Sequence, residues 1–195
     1  MTHSTLSPSL ATAATPNWSE QYFNVRQYSR FLCEPLVAED CMLQSMPDAS
    51  PIRWHLAHTT WFFETFILAR DPDYKPFHPV YNHLFNSYYN TIGEPFPRHQ
   101  RGLLSRPTVE EVWQYRQAVD DAMARWFDSD PSDEQWDTLR TGLQHEQQHQ
   151  ELMLTDLKHG FSVNPLGPIY RPVVSNSRDV PVGQNSTTTF VRMPT

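Results

Sequence analysis

Two short polar tetrads constrain the fold of this chain more than any other feature. Thr108 to Glu111 reads T-V-E-E, and Ser132 to Gln135 reads S-D-E-Q. Each has the form of a capping box, in which the first hydroxyl and the last carboxylate or amide each satisfy an orphan backbone N–H. The first box opens a helix toward Phe127. The second opens one that runs to about His159, with Gly160 as the stop. Two earlier helices read as clearly. One runs from Trp18 to about Leu32, capped by Asn17 or Ser19, with Tyr22, Val25, Tyr28 or Ser29, and Leu32 near one face. The other opens at Ser50-Pro51, a cap hydroxyl followed by a proline whose missing N–H costs nothing at the first helical position. It runs to about Ala69 and stops before Asp71-Pro72. No alternating apolar run of strand length appears before the tail. The expected fold class is all-α, a four-helix bundle with a long aromatic crossover, Asp71 to Pro107, between helices 2 and 3. One short helix near Tyr81–Tyr89 is expected inside that crossover, which otherwise runs over the surface.

Length and composition narrow the function. A chain of 195 residues supports one good core and hardly two ordinary domains. Its 17 prolines against 6 glycines fit helices joined by rigid connections. A formal charge of −7 argues against nucleic-acid binding, which needs lysine and arginine to displace counterions. Cys33 and Cys41 cannot build a disulfide framework and read as small apolar groups. No run approaches the ~18 apolar residues of a membrane span. Residues 1–16 lack both a basic leader and an apolar stretch, so they read as a disordered start, and the cytoplasm is the expected location.

Histidines carry the chemistry. His145, Glu146 and His149 spell H-E-x-x-H, and residues four apart on a helix share a face and can grip one ion. At ~100° per residue, Leu139, Leu143, Met153, Leu154 and Leu157 form one apolar arc, with His145 and His149 at its edge beside Leu152. On the second helix His55 and His58 lie ~300° apart, so only one points straight inward. His58, between Ala57 and the Trp61, Phe62 and Phe66 cluster, is the inward candidate, and His55 takes an outer or structural role. Three imidazoles would then form a site with open coordination positions. A zinc peptidase fits poorly. Its long-motif form needs glycine and histidine where this chain has Leu152 and Thr155, and no glutamate follows Glu151. Glu146 reads as a partner holding an imidazole, not as a base.

Four segments together resemble a known family: SPIRWHLAHTTWFFETF, YNHLFNSYYNTIG, RHQRGLLSRPTVEEV and LQHEQQHQELMLTDLKH. In this order they resemble the N-terminal, DinB-like region of the iron-dependent sulfoxide synthases of ergothioneine biosynthesis, over roughly residues 17–170. The resemblance implies Fe(II) held by His58, His145 and His149. It implies dioxygen-dependent C–S bond formation between cysteine or γ-glutamylcysteine and trimethylhistidine. It places Gln148 against trimethylhistidine, and Arg98 and Arg101 against the thiol substrate's carboxylate, which a guanidinium can grip in a bidentate fork. Where some members present a tyrosine, this chain has Leu104, which leaves the thiol donor open.

Family members continue into a second domain that supplies a catalytic tyrosine, and no residue here is assigned a catalytic role. The expected division is 1–16 disordered, 17–160 a metal-binding helical bundle, and 161–195 a linker with the start of another domain. The blander reading of the last part is a loose tail. A partner chain could carry the missing domain, and this chain alone is expected to bind metal but turn over little. Two other readings stay open: a stand-alone thiol transferase using zinc or another divalent metal, and a non-catalytic metal-binding module.

Overall fold

A computed structural model describes residues 17–87 and 94–172. The described residues are all helix and loop, with no strand among them. The helices are α1 (Trp18–Cys33), α2 (Ile52–Phe66), α3 (Tyr81–Phe85), α4 (Val109–Phe127) and α5 (Asp133–Ser162). Three 3-10 turns, Asp40–Met42, Leu68–Arg70 and Arg98–Leu103, lie between them. α2 packs against both α5 and α4, and α1 packs against α5 and α4 in turn, so the four long helices share one core. The expected third and fourth helices are therefore α4 and α5.

Both capping boxes form reciprocally, at Thr108 with Glu111 and at Ser132 with Gln135. Asn17 caps α1 by accepting the Glu20 N–H at 3.1 Å. The start of α2 differs from expectation. Pro51 is its cap residue, with extended ψ, and Ser50 makes no capping bond. The Ser50 hydroxyl instead accepts from Arg101 Nη1 at 2.9 Å, and the Ser50 N–H donates to Asp156 at 2.8 Å. α2 ends at Phe66, and the stretch to Arg70 tightens into a 3-10 turn. α5 runs two residues past Gly160. Gly160 meets the Leu43 side chain so closely that a Cβ would collide, so this glycine serves packing and not termination. The short helix expected at Tyr81–Tyr89 ends at Phe85, where Asn86 turns to extended backbone. Tyr88 and Tyr89, the disordered start 1–16 and the tail beyond 172 lie outside the described residues.

Every residue of α2 from Ile52 to Glu64 is buried, which makes it the central helix of the core. It meets α5 closely at Gly142, where an added Cβ would lie 2.5 Å from Phe63 and 2.9 Å from Phe62. A helix buried all round must satisfy its polar side chains internally. Glu64 does so by accepting from Tyr115 Oη at 2.5 Å, Tyr74 Oη at 2.9 Å and the Phe77 N–H at 2.8 Å. Those bonds pin the first part of the 71–107 connection to α2 and α4. Beyond α5, Tyr170 Oη donates to the Leu32 carbonyl at 2.7 Å and Arg171 donates to that of Phe31 at 2.6 Å. Both carbonyls lie in the last turn of α1, where Phe31 also accepts the Glu34 N–H at 3.4 Å.

Candidate metal centre

His58 of α2 and His145 and His149 of α5 meet in one cluster. Their ring centroids stand at the corners of a near-equilateral triangle, 4.8, 4.7 and 4.6 Å on a side. One ring nitrogen from each lies within 4.8 Å of the others. The His58 and His145 Nε2 atoms are 3.1 Å apart. Two metal bonds of ~2.1 Å at 90–110° separate their nitrogens by ~3.0–3.4 Å, so that spacing suits a shared ion.

The hydrogen bonds around the rings set which nitrogens are free. His58 Nδ1 donates to the Phe85 carbonyl at 2.5 Å, which leaves Nε2 with its lone pair. The His58 ring is stacked between Trp54 at 4.5 Å and Trp61 at 5.6 Å, which fixes its plane. His149 Nδ1 faces His55 Nδ1 at 2.8 Å, and His55 Nε2 faces the Asp156 carboxylate at 3.1 Å. His145 Nδ1 is buried without a partner. Burial lowers the pKa of all three cluster rings, and neighbouring imidazoles lower it further: His58 well below its usual value, His149 likewise. His145 falls to about 4, with burial outweighing the opposing pull of Glu146. The rings are therefore neutral at pH 7, the state a metal requires. None of their hydrogen bonds goes to a carboxylate. Three neutral nitrogen donors facing one point fit a divalent transition metal.

Glu146 is not the imidazole partner that its position in the motif implied. Its Oε1 accepts from Ser29 Oγ at 2.7 Å and Arg116 Nη2 at 2.8 Å, and its Oε2 accepts from Arg26 Nη1 at 3.0 Å. Arg26 also pairs with Asp120 at 2.7 Å. Burial alone would raise the Glu146 pKa, but Arg26 and Arg116 outweigh it and hold the carboxyl at about 2. A fully buried carboxylate locked between two guanidiniums has no access to a water molecule. That removes the general base a peptidase would need.

The sequence model of the DinB superfamily matches residues 21–153. The chain belongs to the DinB superfamily. No curated protein matches it. No helix among the described residues is long and apolar enough to cross a membrane.

In this DinB-superfamily chain the three histidines line a cleft of about 530 Å³. Arg98, Arg101 and Gln148 line the same cleft, so every residue the sequence singled out for metal or substrate borders one space. Arg101 is buried, with its guanidinium 3.3 Å from the Trp54 ring centroid and Nη1 on Ser50 Oγ. Arg98 is half-buried, and Gln148 is exposed at the rim. Leu104 is not among the residues lining it. Sequence reasoning missed Asp156, which borders the cleft and holds His55. Its position seven residues after His149, on the same helix face, was the available signal.

Proposed function

We propose that this chain is a metal-binding domain that presents one divalent cation, on His58, His145 and His149, to a thiol substrate in the adjoining cleft. The fuller reading is the iron-binding part of an ergothioneine-type sulfoxide synthase, built as a DinB-like four-helix bundle with residues 71–107 as its crossover. The observation that carries it is the convergence of three neutral imidazoles at a cleft that Arg98, Arg101 and Gln148 also line. When bound, Fe(II) would supply one-electron chemistry toward dioxygen, whereas zinc would supply Lewis-acid activation of a thiol.

The chain's own residues would do the rest. Arg98 and Arg101 offer guanidinium donors to a substrate carboxylate and so fix where its thiol lies. Gln148 offers an amide at the rim to the trimethylhistidine substrate. Trp54 and Phe62, packed on the histidine rings, keep water from their flanks. A three-histidine set with open positions suits zinc as well as iron, so a stand-alone thiol transferase is the second reading.

Anaerobic loading with Fe(II) or Zn(II), followed by metal analysis and titration with thiols, tests both. One ion per chain is expected, lost in His58→Ala, His145→Ala or His149→Ala. Cysteine or γ-glutamylcysteine should bind the loaded chain more tightly than cysteamine, which lacks the carboxylate. The expected margin is about 10- to 100-fold, from charge-assisted hydrogen bonds worth ~1.5–3 kcal/mol. Iron-dependent oxygen consumption with thiol and trimethylhistidine favours the synthase reading, and zinc-dependent thiol alkylation the transferase. Metal retention in all three histidine variants would refute both.

A further inference from the structure

We propose that His55 and Asp156 are positioning residues that hold His149 in the Nδ1–H tautomer and so aim its Nε2 lone pair at the cation. The proposal rests on the metal-centre reading above and adds to it a defined outer relay. His149 and Asp156 are seven residues apart on α5, almost two full turns, so they lie on one face about 10.5 Å apart along the axis. His55 comes from α2 and bridges that gap. Its Nδ1 is 2.8 Å from His149 Nδ1, and its Nε2 is 3.1 Å from Asp156 Oδ2.

The direction of each proton follows from donor and acceptor chemistry. A carboxylate only accepts, so His55 Nε2 must carry the proton it shares with Asp156. A neutral His55 then has a lone pair on Nδ1, and His149 Nδ1 must donate to it. That leaves His149 Nε2 unprotonated, free to bind a metal. With the relay reversed, His149 Nε2 would hold the proton and could not be a ligand. The arrangement also anchors the ring mechanically, because Asp156 accepts the Ser50 N–H at 2.8 Å where the chain enters α2. A carboxylate behind a metal-bound histidine raises the ligand's basicity as well as fixing its rotation.

Two variants separate this role from simple helix anchoring. Asp156→Asn keeps an oxygen for the Ser50 N–H and removes only the charge. His55→Gln removes the imidazole from the middle of the relay. The whole chain, labelled with 15N-histidine, is examined by long-range 1H–15N correlation with and without Zn(II), and zinc affinity is measured by chelator competition. In the unmodified chain His149 should show a proton on Nδ1 in both states and zinc on Nε2. Each variant should weaken zinc binding 10- to 100-fold, and His55→Gln should yield mixed tautomers of His149 in the metal-free chain. Zinc bound within about threefold of the unmodified affinity in a folded variant would overturn the relay, even if that variant melts earlier. A His149 ligating through Nδ1 in the unmodified chain would overturn it without any variant. Failure of the unmodified chain to take up zinc would instead overturn the metal centre, and the relay's purpose with it.

Discussion

Replacing Glu146 by glutamine tests whether H-E-x-x-H is a catalytic or an architectural motif in this chain. The substitution conserves volume and removes one buried negative charge. Glutamine can still accept one or two of the three bonds that Glu146 now receives from Ser29, Arg26 and Arg116. Its amide nitrogen, however, must face at least one donor. Asp120 remains beside Arg26 at 2.7 Å. Arg116, 4% exposed, keeps only neutral acceptors, the Leu56 carbonyl and the Thr59 and Thr60 hydroxyls. Breaking a buried ion pair from one side costs about 3–5 kcal/mol.

Linkage gives the same scale. The Glu146 pKa falls from 4.5 to about 2 on folding, and at 1.36 kcal/mol per pKa unit that is about 3 kcal/mol. Because the folded pKa is the lower one, this stability is present above pH 4.5 and is lost as pH falls toward 2. A native domain has ~5–15 kcal/mol in total, so the loss is large. At ~2–4 °C per kcal/mol, the melting temperature should drop by about 6–20 °C. Equilibrium urea unfolding of the metal-free chain at pH 7.5, followed by tryptophan fluorescence, measures it. A general base would behave oppositely, losing turnover while stability stayed intact. A Glu146→Gln chain within about 1 kcal/mol of the unmodified one would refute the architectural reading.

Acid should destabilise the metal-free chain well above the carboxylate range. His55, His58, His145 and His149 have pKa values lowered by burial, so their stability is complete above pH 6.5 and falls as the unfolded chain takes up protons. By pH 5.5 His145, held at about 4 in the folded chain, alone costs about 1 kcal/mol. The other three rings act in the same direction, and urea midpoints that stay flat between pH 7.5 and 5.5 would contradict this. Gly142→Ala should destabilise, although alanine gains ~1 kcal/mol over glycine inside a free helix. The new methyl collides with Phe62 and Phe63, and overpacking costs ~1–3 kcal/mol, so a higher melting temperature would refute the close α2–α5 contact.

The helices were legible in the sequence because their signals are local. Two capping boxes, an asparagine cap and 3.6-residue periodicity all act within a few residues. The misread points depend on distant partners. Ser50 looks like a cap until Arg101 takes its hydroxyl, and Gly160 looks like a stop until Leu43 fills the space a side chain would need. On α1, Val25 and either Tyr28 or Ser29 were expected near the buried face. The structure buries Ser29 and leaves Tyr28 exposed, and it also buries Arg26, which was not expected there, because Glu146 lies opposite both. A charged residue reads as surface unless its buried partner is known, and here the partner of Arg26 is 120 residues away.

The site shows the same division at finer scale. His145 and His149 share a face by spacing, and the apolar neighbours of His58 gave its direction. Glu146 is displaced by ~100° around the helix from His145, and spacing alone does not say what that direction meets. If it met an open cleft, the carboxylate could activate water. Here it meets Arg26 and Arg116, whose charges require a buried counter-ion. The same helix therefore turns one face of neutral imidazoles to the cleft and another of carboxylate to the arginine pair. Moving either set of residues by one position would place a charge against the metal-binding rings or leave Arg116 in the core without its anionic partner, Arg26 keeping only Asp120.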